Sequence, residues 1–155
     1  MTTVRTNVLC FIFIGITVAV AAFLYPSLPE QIPTHWNLAG EVDDYTPKPW
    51  GVMIMPLVAL MVFIIMKLIP IVSPKGFRPA HFKGVSNIFR VGLVGFMSGI
   101  GLLVLLAATG SDVHINEMNY AGVGLLFIVL GNYMSKVRKN FFIGIRTPWT
   151  LASDE

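Results

Sequence analysis

The sequence predicts an all-α integral membrane protein of about four transmembrane helices, with both termini cytoplasmic, an ordered outer loop and an interfacial C-terminal segment. Three observations predict it. Apolar residues make up 55% of the 155-residue chain and charged residues only 12%, against roughly 25% charged in a typical soluble protein. A chain this short cannot hide so much apolar side chain in a water-facing fold, so lipid must cover much of it. Finally, the apolar residues fall into long continuous runs, and lysine and arginine cluster in alternate connections between them.

The runs are Val8 to Leu24, Trp50 to Ile71, Val91 to Thr109 and Met118 to Met134. A helix needs about 20 residues to cross the hydrocarbon core, and barrel strands would alternate apolar with polar residues. The runs therefore read as helices over about 7–27, 50–71, 84–109 and 118–136 in a single membrane domain, 1–155. The fourth run is the shortest, and Asn132 lies near its end. Between them lie an outer loop, 28–49, an inner loop, 72–83, and an inner C-terminal segment, 137–155.

Orientation follows from the basic residues. Arg5 precedes the first helix. Lys75, Arg78, Lys83 and Arg90 lie between the second and third, and Lys136, Arg138, Lys139 and Arg146 follow the fourth. The first-to-second loop holds Glu30, Glu41, Asp43 and Asp44 against Lys48, and the third-to-fourth holds Asp112 and Glu117 with no base. This alternation places both termini inside. The net charge of +3 is then a membrane-orientation signal, and no direct nucleic-acid partner is expected. Lys67 lies about one turn from the inner end of the second run and can snorkel to the headgroups. The first run also resembles a signal peptide at Ala19-Val20-Ala21, but it continues through Phe23-Leu24 and is long enough to span, so it is read as a retained helix.

The segment from Pro79 to Arg90 puts Phe82, Val85, Ile88 and Phe89 near helical spacing among basic residues, and reads as an interfacial lead-in to the third helix. Gly95 and Gly99 make a GxxxG step that lets two backbones approach, within one chain or in a homodimer. Cys10 is the single cysteine, so no internal disulfide is possible. His35, Asp43, Asp44, Asp112 and His114 all fall on the outer side but lack metal-site spacing. No dinucleotide fingerprint and no hydrolase motif is present. No metal or cofactor is expected.

Two segments carry more. In the outer loop, Pro26, Pro29 and Pro33 stiffen the chain, Trp36 and Trp50 suit the headgroup level, and Gly40 permits a turn before Asp43 and Asp44. This loop reads as ordered, either as an aromatic anchor with a turn or as a docking surface. The last segment joins a basic cluster, Phe141-Phe142 and Arg146-Thr-Pro-Trp149. It reads as lying on the inner membrane face, where Arg146 would clamp a lipid phosphate or a carboxylate.

The outer Leu28-Pro-Glu-Gln-Ile-Pro-Thr-His-Trp36 stretch, with Gly40 and Lys48-Pro49, resembles the SdpI-type immunity proteins of bacteria. So does Gly131-Asn132-x-Met134, followed by Asn140 and Ile143-Gly-Ile-Arg-Thr-Pro-Trp-Thr-Leu151. The resemblance spans nearly the whole chain. It implies a non-enzymatic, multi-pass protein of the bacterial cell membrane. Such a protein protects against a secreted killing peptide, the sporulation-delay toxin in the best-known case, and there also holds a transcriptional repressor at the membrane. By position, Pro33, His35, Trp36, Asn37, Gly40, Asp43 and Asp44 would face the toxin. Asn132, Asn140, Gly144, Arg146, Thr147, Pro148 and Trp149 would face the repressor. The family pattern continues into two further helices beyond Leu151, so the resemblance implies packing partners that these 155 residues do not supply. Two rival readings are a small transporter or channel component, opposed by the few polar residues in the spans (Thr17, Ser98 and Asn132, with Lys67 near an end), and a membrane enzyme, for which Ser27, His35 and Asp43 offer candidate groups but no motif.

Overall fold

A computed structural model of the chain describes residues 2–72 and 82–134. Helix α1 spans Thr3–Leu24, α2 Lys48–Val72, α3 Phe82–Ala108 and α4 Ile115–Met134, with strands β1, Gln31–Trp36, and β2, Val42–Pro47, between α1 and α2. Among the described residues, three helices are long and apolar enough to cross a membrane: those over Thr3–Ser27, Lys48–Val72 and Gly84–Ala108. In α4 the first turns carry Asn116, Glu117 and Asn119 and the last carries Asn132, which dilutes its apolar stretch.

The ends of the helices follow local rules. Thr2 caps α1, its hydroxyl accepting from the Arg5 amide. A 3₁₀ turn, Tyr25–Ser27, follows α1, with Pro26 near its start where no amide donor is needed. Pro49 sits in the first turn of α2 for the same reason. Gly110, at φ +80°, closes α3 with its amide bonded to Ala107, a left-handed position that glycine occupies without strain.

Helix α3 is central, packing against α1, α2 and α4. Its close approach to α1 and α2 uses glycines, though not the expected pair. Gly95 faces Phe13 of α1. A β-carbon on Gly99 would have nothing within 4 Å, whereas one on Gly101 would sit 2.9 Å from Met55 Cβ and 3.0 Å from Thr17 Cγ2. The tight crossing is thus at Gly101, one turn or less from the GxxxG step. Thr17 adds a polar link, donating to Phe13 O at 3.0 Å and reaching Ser98 O of α3 at 3.4 Å.

The expected lead-in does run on into the third helix, but its described part packs into the bundle; Pro79 to His81 lie outside the described residues. Residues 82–90 are continuous with α3, and Val85 and Phe89 are buried against Met66, with Ile69, Leu93, Leu130 and Tyr133 around them. Arg90, expected among the inner-loop basic residues, is only 3% exposed and bonds to Asn7 of α1. The apolar residues recur on one face of a regular helix, and packing that face inside removes more apolar surface from contact with the headgroups than lying flat would.

Candidate functional site

The loop expected to be merely ordered folds as a hairpin. β1 and β2 pair antiparallel, with register steps at Thr34 on one strand and Asp43 on the other. Each step is a bulge, which bends the strand and re-aims one side chain. Thr34 and Thr46 hydroxyls meet at 2.9 Å, and His35 Nδ1 pairs with Asp43 Oδ1. Pro33 has no amide hydrogen to give the ladder, which suits an edge strand.

The tip is organised by Asn37. Its side-chain oxygen accepts from the amides of Ala39 at 2.9 Å and Glu41 at 3.0 Å, and its amide group donates to Glu41 Oε2 at 3.1 Å. Gly40, at φ +87°, completes the turn by donating to Asn37 O at 3.0 Å. From the first turn of α4, Asn116 Nδ2 donates to Asn37 O at 3.2 Å. The tip is therefore tied to the far helix of the bundle.

The base of the hairpin plugs into the helix ends. Ile32 is fully buried with Leu28, Ala21, Val52, Val104, Leu105 and Ala108, and Trp36 packs on the same cluster. Gly51 lets α2 come up against Ile32: a β-carbon there would sit 2.6 Å from Ile32 Cβ. Lys48 is buried as well, its Nζ donating to Leu28 O at 2.8 Å and lying 4.7 Å from the Tyr25 ring centroid. A buried lysine needs such acceptors in place of water.

The expected site residues thus divide. His35, Gly40, Asp43 and Asp44 are exposed and Asn37 partly so, while Pro33 is buried and Trp36 half-buried. Trp36 packs on the cluster at the helix ends and Pro33 is buried beside it in β1, so neither is as open as His35 or Asp43. With Glu30 and Glu41 also exposed and Lys48 buried, the accessible hairpin is acidic, its histidine held against a carboxylate. Lys48, Gly51 and Asn116 were missed as site-building residues. A lone base among acids, directly before a proline, was the available signal for Lys48; nothing local marks Asn116.

Of the five residues weighed for a metal, only His35 and Asp43 are brought together, and no group of three or more potential ligands converges among the described residues. On the opposite end, Asn132 is exposed on the last turn of α4. Asn140, Gly144, Arg146, Thr147, Pro148 and Trp149 lie outside the described residues.

A family model described as a domain of unknown function, DUF1648, matches residues 12–60, a segment that contains the whole hairpin. The chain is 28% identical over 150 residues to immunity protein SdpI of Bacillus subtilis (strain 168), covering 97% of this chain and 70% of that protein. No solved structure matches significantly. The likeness bears out the resemblance carried by the two motifs.

Proposed function

We propose, for a chain that is SdpI-like along nearly its whole length, that it is an immunity protein of the bacterial cell membrane and that its docked hairpin is the face that meets a secreted peptide toxin. The chain crosses the bilayer about four times, with both termini in the cytoplasm. The basic residues of alternate connections support this orientation, and it puts the hairpin outside. The single observation that carries the reading is the likeness to an immunity protein over a span that includes the hairpin. The hairpin's build supports the rest. It is a pre-ordered surface whose only lysine is turned inward, so little ordering entropy is lost when a partner binds. Its action is binding, not catalysis.

The inner segment is the finer part of the proposal. Arg146 and its neighbours would hold a cytoplasmic repressor when toxin is bound outside. Expression in a strain sensitive to the sporulation-delay toxin tests the main reading. Cells carrying the protein in their membrane should survive the peptide, and unchanged killing would overturn it. Alanine at His35 and Asp43 should raise killing, whereas Arg146→Ala should leave survival intact and release the repressor from the membrane fraction.

A further inference from the structure

Between α1, α3 and α4 lies an apolar cavity of about 690 Å³, within the range of small-ligand sites, about 300–1,000 Å³. Its floor is one face of α3, where Ile88, Gly92, Gly95, Gly99 and Leu103 recur every three or four residues. Phe13 of α1 bounds one side, and Gly122, Leu126 and Val129 of α4 bound the other. The glycines make the room. A β-carbon on Gly99 would have nothing within 4 Å. No residue of α4 is buried, so α4 leans on α3 around a space that neither helix fills.

Asn119 is the one polar side chain among the described residues that line the cavity. It lies about one turn along α4 from Asn116, which holds the hairpin tip. At 1.5 Å per residue it sits about 6 Å inside the start of α4, a depth that matches the headgroup layer, about 5–8 Å in each leaflet. From Leu103 to Ile88 the floor runs about 22 Å away from that end. The cavity is thus polar only toward the hairpin and apolar through the rest of its depth.

These features exclude two occupants and fit a third. Water needs polar partners, and the described walls offer none below Asn119. A helix with its side chains is about 10–12 Å across, whereas 690 Å³ spread over about 22 Å is a channel about 6 Å wide. A helix of a second copy is therefore too thick for it. A single hydrocarbon chain, whose carbons meet the walls at about 3.5–4.0 Å, is not. We propose that the cavity binds one acyl chain of a phospholipid from the leaflet on the hairpin side, its ester carbonyl accepting from the Asn119 side-chain amide. The walls then gain dispersion contacts that an empty space forfeits, and such packing is what holds helices together in lipid. The headgroup stays in the interface, so the site reads the chain and not the charge. The inference requires only that α3 crosses the membrane with α4 alongside.

The full chain in detergent tests it by native mass spectrometry with dioleoylphosphatidylcholine, dioleoylphosphatidylglycerol and the short-chain dihexanoylphosphatidylcholine. One long-chain lipid per protein should survive washing, with either headgroup, and the short-chain lipid should not. Gly99→Leu should lower retention about tenfold, because its side chain takes the wall contacts of the acyl chain. Asn119→Ala should lower it roughly threefold, the weight of one hydrogen bond. Gly124→Leu adds the same side chain at an exposed position of α4 outside the cavity and should change nothing. On the unmutated protein, a phosphatidylcholine with a diazirine at mid-chain should label Gly95 to Ile100 and Gly122 to Leu126 more heavily than the exposed face of α2. That measurement stands whether or not Gly99→Leu folds. Equal loss from Gly124→Leu, retention of the short-chain lipid, labelling no heavier than on α2, or a dimer that Gly99→Leu dissociates would each overturn the site.

Discussion

Gly51→Ala should loosen the hairpin while leaving the bundle intact. The added β-carbon would lie 2.6 Å from Ile32 Cβ, 2.9 Å from its Cγ1 and 3.2 Å from its Cγ2. The clash is with the root of a fully buried side chain, so no flexible end can swing away. Relief to an ordinary contact requires β1 to move off α2 by nearly an ångström, which opens the cluster formed with Leu28, Val52 and Leu105. Overpacking of this kind costs about 1–3 kcal/mol. Alanine also favours helix over glycine by about 1 kcal/mol, but that gain accrues to α2, whereas the clash falls on hairpin docking. A lone two-stranded hairpin is marginal in water, so its order depends on that docking. The undocked population should rise roughly 5- to 150-fold. Hydrogen–deuterium exchange of the protein in nanodiscs reads this directly. Amides of 31–47 should exchange faster, with those in the middle of α1 and α3 unchanged. Equal exchange in the hairpin of the two proteins would refute the claim that close approach at Gly51 holds it in place.

Two smaller changes separate the other contacts. Asn116→Ala removes the bond to Asn37 O; exchange should quicken at the tip, Asn37 to Gly40, for about 0.5–1.5 kcal/mol, without a shift at the hairpin base. Gly101→Ala should lower the thermal midpoint in detergent, because its β-carbon meets Met55 and Thr17. Gly99→Ala should leave the midpoint unchanged or raise it, since that position faces open space. A reversed order would restore the GxxxG step as the packing contact.

Much of the architecture was written in the order of residues. Long apolar runs mark helices because lipid leaves backbone groups no other partner, and the runs from Val8 and Trp50 correspond closely to α1 and α2. The hairpin was half legible. Prolines 26, 29 and 33 and Gly40 signalled order and a turn. The pairing was hidden because two bulges break the period-two alternation by which strands are read. Without that alternation, the sequence could not say that Pro33 and Trp36 are covered while His35 and Asp43 are exposed.

Arg90 marks a different limit. Counting basic residues between runs assigns a side of the membrane, and that count does not depend on how deep each residue lies. Burial depends on which face of α3 the residue occupies and on whether a neighbouring helix offers an acceptor. Asn7 offers one, yet it lies 83 positions away in the chain, beyond the reach of any local pattern. The same holds for Thr17 with Ser98 and for Asn116 with Asn37. In a sequence this apolar, the few polar groups inside the bundle are the costly ones to bury. Their positions are set by partners that only the folded chain brings together, which is why no local pattern in the sequence marks them.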